Sequence, residues 1–418
     1  MIKKINLFLL YFLLINSSFG QVGTSSPYSR FGLGDLQSVI NPEYLSIGGG
    51  VTAFNDPYYI NPYNPATYTS FGVNSFLLST GGLHTTTNFQ NNLDQDIAHN
   101  TSFSHVTLGF PINHKVGVSV GLLPYSNMGY ELDAYDNEFD ANFIYSGDGG
   151  ISKAYIGSAY EISKQLSIGV NASYLFGGLN KRKRIIFNDT DFLNTRSNSS
   201  INLIGYYYEF GILFKQNVEE NKTFNFGLTT NNNSQIRAKR TDLVETFEFS
   251  GALSELVKDT AVYSKEWGDM ILPQHINAGV SYTQDKKWLL VANYSLQNWS
   301  QYRLFDESDN LNNSIKLSTG MQYIPDYNSV TKYYKRITYR LGASYAETPL
   351  EINGNQLNEI ILSIGLGLPV KKSRTRYDIS LLFGQRGTVE DNLLQERYIK
   401  FGLSVAYDGI WFVKRKYD

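Results

Sequence analysis

The sequence predicts an all-β fold, a transmembrane antiparallel β-barrel of about fourteen strands with an N-terminal hatch in its lumen. Three observations predict it. Beyond residue 70, segment after segment alternates apolar and polar residues with the period of a strand. The chain opens with an export address. Its composition is rich in aromatics yet poor in charge: 14% Phe, Trp and Tyr against 18% charged residues, below the roughly 25% usual for soluble domains. Only 42% of residues are hydrophobic, too few for a bundle of membrane helices, and no stretch is long and apolar enough to span as one. A net charge of −2 gives no reason to expect nucleic acid as a partner. The absence of cysteine removes disulfides, thiolate nucleophiles and cysteine metal sites.

Residues 1–20 read as a signal peptide. Lys3 and Lys4 precede an apolar core over 7–15, and the small residues Ser18 and Gly20 lead to Gln21. Residues 21–70 do not alternate and are rich in Gly, Pro, Asn and Tyr; they are assigned to the hatch. Residues 71–418 are assigned to the barrel. In 166–176 the apolar set Leu166, Ile168, Val170, Ala172, Tyr174 and Phe176 interleaves with Ser167, Gly169, Asn171, Ser173 and Leu175. The same pattern recurs in 276–283, 337–345 and 399–407, in five further clear runs from 116–122 to 377–383, and more weakly in 74–84, 103–112, 152–162, 202–214 and 224–229.

Alternation does not say which face is inside. The export signal, the connections and the aromatics decide it. Short links at 113–115, 163–165 and 285–287 alternate with long ones at 133–149, 244–273 and 304–314, as in barrels with tight periplasmic turns and long outside loops. Phe110, Tyr160, Phe214, Tyr282, Tyr323 and Tyr407 recur beside the short turns, where rings belong at headgroup level. The apolar faces are therefore expected to meet outer-membrane lipid, with both termini periplasmic. Within the long link 244–273, Ser250 is a capping residue for a helix whose face carries Leu253, Leu256, Val257, Thr260 and Ala261. Pro124 interrupts the third strand. It either kinks the wall, since proline donates no ladder bond, or stands just past the strand's end.

Candidate chemistry is sparse. Gly117-Val118-Ser119-Val120-Gly121 matches the nucleophile-elbow formula but sits inside an alternating strand, where the required strand-to-helix turn is missing. His84, His99 and His105 fall in the first hairpin, near enough to meet at its outer end, without metal-ligand spacing. No catalytic, cofactor-binding or metal-binding residues are assigned, no cofactor is expected, and the chain does not read as an enzyme. The basic run 181–184 faces either lipopolysaccharide or solvent.

The stretch from Gly48, Gly49 and Gly50 to Asn64, Pro65 and Ala66 resembles the hatch of FadL-type outer-membrane transport proteins, with its Asn-Pro-Ala motif. The resemblance implies fourteen strands, periplasmic termini and a helical loop between strands seven and eight, where 244–273 falls. It also implies an inward kink in the third strand that opens a lateral exit, which would be at Pro124. One departure is plain: residues 188–198, where such proteins build part of an apolar ligand groove, are short and polar here. Residues 26–32 and 411–416 look like the beginning and end of barrels from Bacteroidota. Two functions follow as expectations. The first is passive uptake of a hydrophobic small molecule with lateral exit near Pro124. The second is an accessory role in a secretion or barrel-assembly complex, with the lumen plugged and other outer-membrane proteins as partners. An open porin is disfavoured, because residues 21–70 suffice to fill the lumen.

Overall fold

The computed structural model describes residues 24–92, 94–250, 254–390 and 393–411. The expected signal peptide and the charged C-terminal end lie outside these. The long strands are β1 (Ser75–Gln90), β2 (Gln95–Pro111), β3 (Val116–Asp136), β4 (Ala141–Glu161), β5 (Leu166–Phe187), β6 (Asn194–Glu219), β7 (Lys222–Asn231), β8 (Ser234–Ser250), β9 (Ser254–Leu272), β10 (His275–Gln284), β11 (Trp288–Gln297), β12 (Ser314–Tyr323), β13 (Thr338–Ile352), β14 (Asn355–Pro369), β15 (Arg376–Arg386) and β16 (Gln395–Ile410). Each pairs antiparallel with its sequence neighbour, with one exception. β7 pairs with β10, so β8 and β9 stand outside the wall. β16 pairs with β1 from Ser75↔Ile410 to Gln90↔Gln395, and this closes a 14-strand barrel.

The two faces separate as the alternation requires. Ile168, Val170, Tyr174, Phe176, Phe210, Ile212, Leu341, Ile360, Leu362, Phe401 and Leu403 all point outward and are exposed, while Asn171, Ser173, Ser281, Ser363, Asp378 and Ser404 are buried inside. An apolar belt on the outside of a closed barrel has no stable place in water; lipid is its solvent, and closure pairs the wall strands with one another around the barrel. Aromatic rings line up around the short-turn end: Phe224 against Tyr282 at 4.8 Å, Trp288 against Tyr323 at 4.2 Å, Phe76 against Trp411 at 3.9 Å.

The opposite end departs from the expected long coil loops. Residues 133–149 are mostly the continuation of β3 and β4, joined by a turn at 137–140. β3, β4, β5 and β6 have 21, 21, 22 and 26 residues, about twice the nine to eleven or so that cross a bilayer. Their outer halves continue beyond the belt as a sheet in the order β3-β4-β5-β6-β8-β9.

The helix expected over Leu253, Leu256 and Val257 is not formed. Leu253 lies outside the described residues; Leu256 and Val257 are in β9, paired with Glu248 and Phe247 of β8 and exposed. The physical reason is the partner. β8 offers a full ladder, and the pair carries cross-strand charges, Arg240 Nη2 to Glu266 Oε2 at 2.7 Å and Lys258 to Glu248. Val262, Tyr263 and Trp267 favour a strand. Bulges after Val257 and Thr260 absorb the residues that mimicked helical spacing. The basic run joins the same sheet. Arg182 pairs with Asp148 at 2.9 Å, Arg184 with Glu255, and Lys183 lies 5.5 Å from the Tyr145 ring centroid.

Candidate functional site: the lumen and the seam beside Pro124

The N-terminal segment lies against the inward faces of the wall. Tyr44, Ile47, Phe54, Ile60, Ala66 and Tyr68 are all buried, and Tyr44, Ile47, Val51, Phe54 and Tyr59 cluster with Leu289, Val291 and Ala406 of the strands. Its backbone comes so close that the wall must present glycine. A Cβ on Gly227 would stand 2.0 Å from the Thr52 carbonyl oxygen, and one on Gly342 would stand 2.0 Å from the Gly48 nitrogen. The glycines of the polar stripes are thus the wall's imprint of the segment.

Asn64, Pro65 and Ala66 lie together at this contact. Asn64 Nδ2 donates to the Thr52 carbonyl at 2.6 Å and to the Ile212 carbonyl of β6 at 3.3 Å. Its Oδ1 accepts from the Ala66 amide at 3.1 Å and caps the 3-10 turn Pro65–Ser70, with proline in the first turn where a missing N–H costs nothing. Asn171 of β5 donates to the Pro62 carbonyl and accepts from the Tyr68 hydroxyl, at 2.9 and 3.0 Å.

Charged groups complete the attachment. Arg340 of β13 donates to Asp378 Oδ1 of β15 at 2.5 Å, to the Tyr59 hydroxyl at 2.9 Å and to Gln322 Oε1 at 3.0 Å; Tyr59 donates to the same Asp378 oxygen at 3.0 Å. The Arg340 and Asp378 side chains are 1% and 0% exposed. Arg386 of β15 holds the start of the segment, bonded to Asp35 at 2.9 Å, Ser26 at 2.7 Å and Glu396 at 2.6 Å. Lys153 pairs with Glu209 at 2.9 Å.

Glu43, in the short helix Pro42–Leu45, accepts from the Ser404 hydroxyl at 3.0 Å and from Asn41 at 3.3 Å. Burial, and then the charge of Asp378, pushes its carboxyl from 4.5 up to about 7. A raised carboxyl pKa in the folded state means that folding holds a proton the unfolded chain releases. Stability therefore falls as pH rises from 4.5 to about 7 and is level above that. Glu43→Gln is expected to raise the thermal midpoint at pH 8, with the gain shrinking as pH is lowered through that window. Circular dichroism melts of the detergent-solubilised variant check this; a pH-independent gain would assign the effect to something other than the proton.

Pro124 stands within β3, not past its end. The β2–β3 ladder stops at Val106↔Leu122 although both strands continue, and the β3–β4 register slips between Pro124 and Ser126. Above that point Asp35 and Leu36 pair with Asn127 and Ser126, taking the place β2 vacates. A cavity of about 1470 Å³ opens beside the seam, bordered by Phe103, Leu122, Leu123, Pro124, Tyr130 and Ile151 but also by Arg30, Asp148 and Arg182. A second cavity, of about 310 Å³, lies inside the lumen against Lys153, Glu209, Lys316, Glu359 and Arg386.

The other sequence candidates are structural. Ser119 donates to the Leu108 carbonyl at 2.9 Å within a regular ladder. His84 and His99 stack at 6.2 Å, but His105 is buried elsewhere, between Ser79 and Ser104, each at 2.8 Å. Among the described residues no group of three or more His, Asp or Glu is placed to hold a metal. Tyr59, Arg340, Arg386 and Glu43 were not singled out from sequence. The available signal was weak: Arg340 and Asp378 both fall on polar stripes, where a charge is out of keeping with Gly and Ser neighbours.

A protein-family model described as BamG matches residues 1–418, the whole chain. The chain belongs to the BamG family. No curated protein matches it in sequence. Among solved structures, the Ralstonia pickettii toluene transporter TbuX superposes on this BamG-family barrel with a TM-score of 0.59 at 12% identity, covering 88% of this chain and 97% of that one. The Pseudomonas putida toluene transporter TodX does so with 0.59 at 14% identity, over 88% and 99%. A Pseudomonas aeruginosa FadL homologue gives 0.57 at 12% identity, over 88% and 98%. At these identities the likeness is one of fold: this BamG-family chain has the FadL-type barrel architecture.

Proposed function

We propose that this BamG-family barrel is an accessory subunit of an outer-membrane protein complex, of the secretion or barrel-assembly kind, and that residues 21–70 act as a plug that keeps its lumen closed. The observation that carries this is the charge of the interior. The lumen cavity meets Lys153, Glu209, Lys316, Glu359 and Arg386, and the plug is tied to the wall through Arg340, Asp378 and Arg386. A hydrophobic solute entering such a space gains little apolar burial, at about 25 cal/mol per Å², and displaces groups that must stay hydrogen-bonded. Membership of the BamG family supports the reading. So does the sheet outside the belt, whose outermost strand β9 exposes Leu256, Val262, Tyr263 and Trp267. On this reading the barrel sits in the outer membrane with its short-turn side, and with it both ends of the sequence, facing the periplasm, and no catalytic role is proposed.

A second reading rests on a specific observation, the open seam at Leu122 with its large cavity. It is passive uptake of a hydrophobic small molecule with lateral exit past Pro124, the toluene transporters being proteins of the same fold. One experiment separates the two. Purified in mild detergent from native membranes, the full-length protein is expected to arrive with other outer-membrane proteins in fixed stoichiometry. A solitary barrel carrying a bound apolar compound would reverse the order of the two readings.

A further inference from the structure

The short-turn end holds a basic pocket at the edge of the plug, where Arg376 packs on Tyr58 and Tyr59. The connection 324–337 and the turn 370–375 close over a pocket of about 210 Å³. Arg336, Lys372, Arg374 and Arg376 all border it, together with Tyr58 and Tyr327. Three of the four cations are partly engaged: Arg374 lies 3.6 Å from Asp408, the Arg376 guanidinium sits 4.8 Å from the Tyr58 ring centroid, and the Arg336 guanidinium 5.5 Å from that of Tyr333. Neither Arg336 nor Lys372 makes an ion pair among the described residues, and Arg336 Nε is buried without a hydrogen-bond partner. Lys372 is held at a positive φ of 58° in its turn, a conformation costly for a residue with a Cβ. Concentrating like charge in one concavity is unfavourable unless an anion is present to share it.

We infer that this pocket binds a phosphate group. Guanidinium forks match phosphate oxygens in pairs, and a lysine adds a compact point charge. The Tyr58 and Tyr327 side chains and Thr338 supply further polar edges, while Ile324, Pro369 and Val370 form an apolar floor. The phosphate comes either from a phospholipid headgroup at the membrane rim or from a small phosphate ester in solution.

Native mass spectrometry of the full-length protein in non-ionic detergent tests the assignment, titrated in one arm with phosphatidylglycerol and in the other with glycerol 3-phosphate. One phosphate-bearing molecule is expected to bind in one arm. Arg336→Gln with Lys372→Gln is expected to weaken it about tenfold or more, two cations near a membrane surface each contributing a substantial factor. Lys115→Gln with Lys164→Gln, on other turns of the same end, reports generic attraction and should leave binding unchanged. Heat-dependent gel migration reports whether each variant folds; Lys372→Glu alone, at an exposed turn position, replaces the double variant if that one does not. Binding in the first arm only assigns a lipid headgroup, and in the second a soluble ester. Absence of binding in both arms, or equal loss in the Lys115/Lys164 variant, overturns the proposal.

Discussion

Arg340→Ala is expected to destabilise the barrel by about 3–5 kcal/mol, the usual result of removing one member of a buried ion pair. Among the described residues the Asp378 carboxylate would keep only the Tyr59 hydroxyl as a donor, and its Oδ2 already has no partner there. Tyr59 would lose the guanidinium donor that fixes its hydroxyl, so the effect reaches from the wall into the N-terminal segment. Replacing both charges, Arg340→Met with Asp378→Leu, should recover most of the loss, because no ion is then left without its counterpart. Equilibrium urea unfolding in detergent micelles measures both. A single variant within about 1 kcal/mol of wild type would mean that water reaches Asp378 and that the cluster is less dry than its burial indicates.

Gly342→Val is expected to expel the segment from its seat. A Cβ there meets backbone: the Gly48 nitrogen at 2.0 Å and the Ile47 carbonyl carbon at 2.3 Å. Gly48 is itself at a positive φ of 70°, so the bend cannot be redrawn cheaply. The wall cannot yield either, because β13 is laddered on both sides. Overpacking of this kind costs about 1–3 kcal/mol where side chains can move, and more where they cannot. Detachment is the accessible relief. In planar bilayers the variant should conduct ions where the wild type is silent. Leu341→Val, one residue away on the lipid face, should stay closed. A folded Gly342→Val barrel that remains silent would remove the segment from its proposed role as plug.

What could be read from the sequence follows from what a strand repeats. Alternation is set by the backbone, so each crossing announced itself locally, in Leu166 to Phe176 as clearly as in Ile399 to Tyr407, and the wall has the number of strands that those runs indicate. Tyr282 and Tyr323, which stack on neighbouring rings beside the short turns, were legible for the same reason, since headgroup level is a fixed distance along each crossing. Beyond the belt the lipid constraint ends, and local pattern lost its meaning there. Leu256 and Val257 fit a helix face as well as a strand, and only β8, reached across a turn, decided between them.

The sequence by itself therefore determined a barrel, its approximate strand number and which stripe meets lipid, because burial in a bilayer acts on each strand separately. Tertiary structure alone decided that Arg340 meets Asp378 and Tyr59, that Gly227 and Gly342 serve the backbone of Thr52 and Gly48, and that β2 leaves β3 at Leu122. Those contacts join residues far apart in the chain. Their energies depend on register and distance around the closed barrel, which no local period encodes.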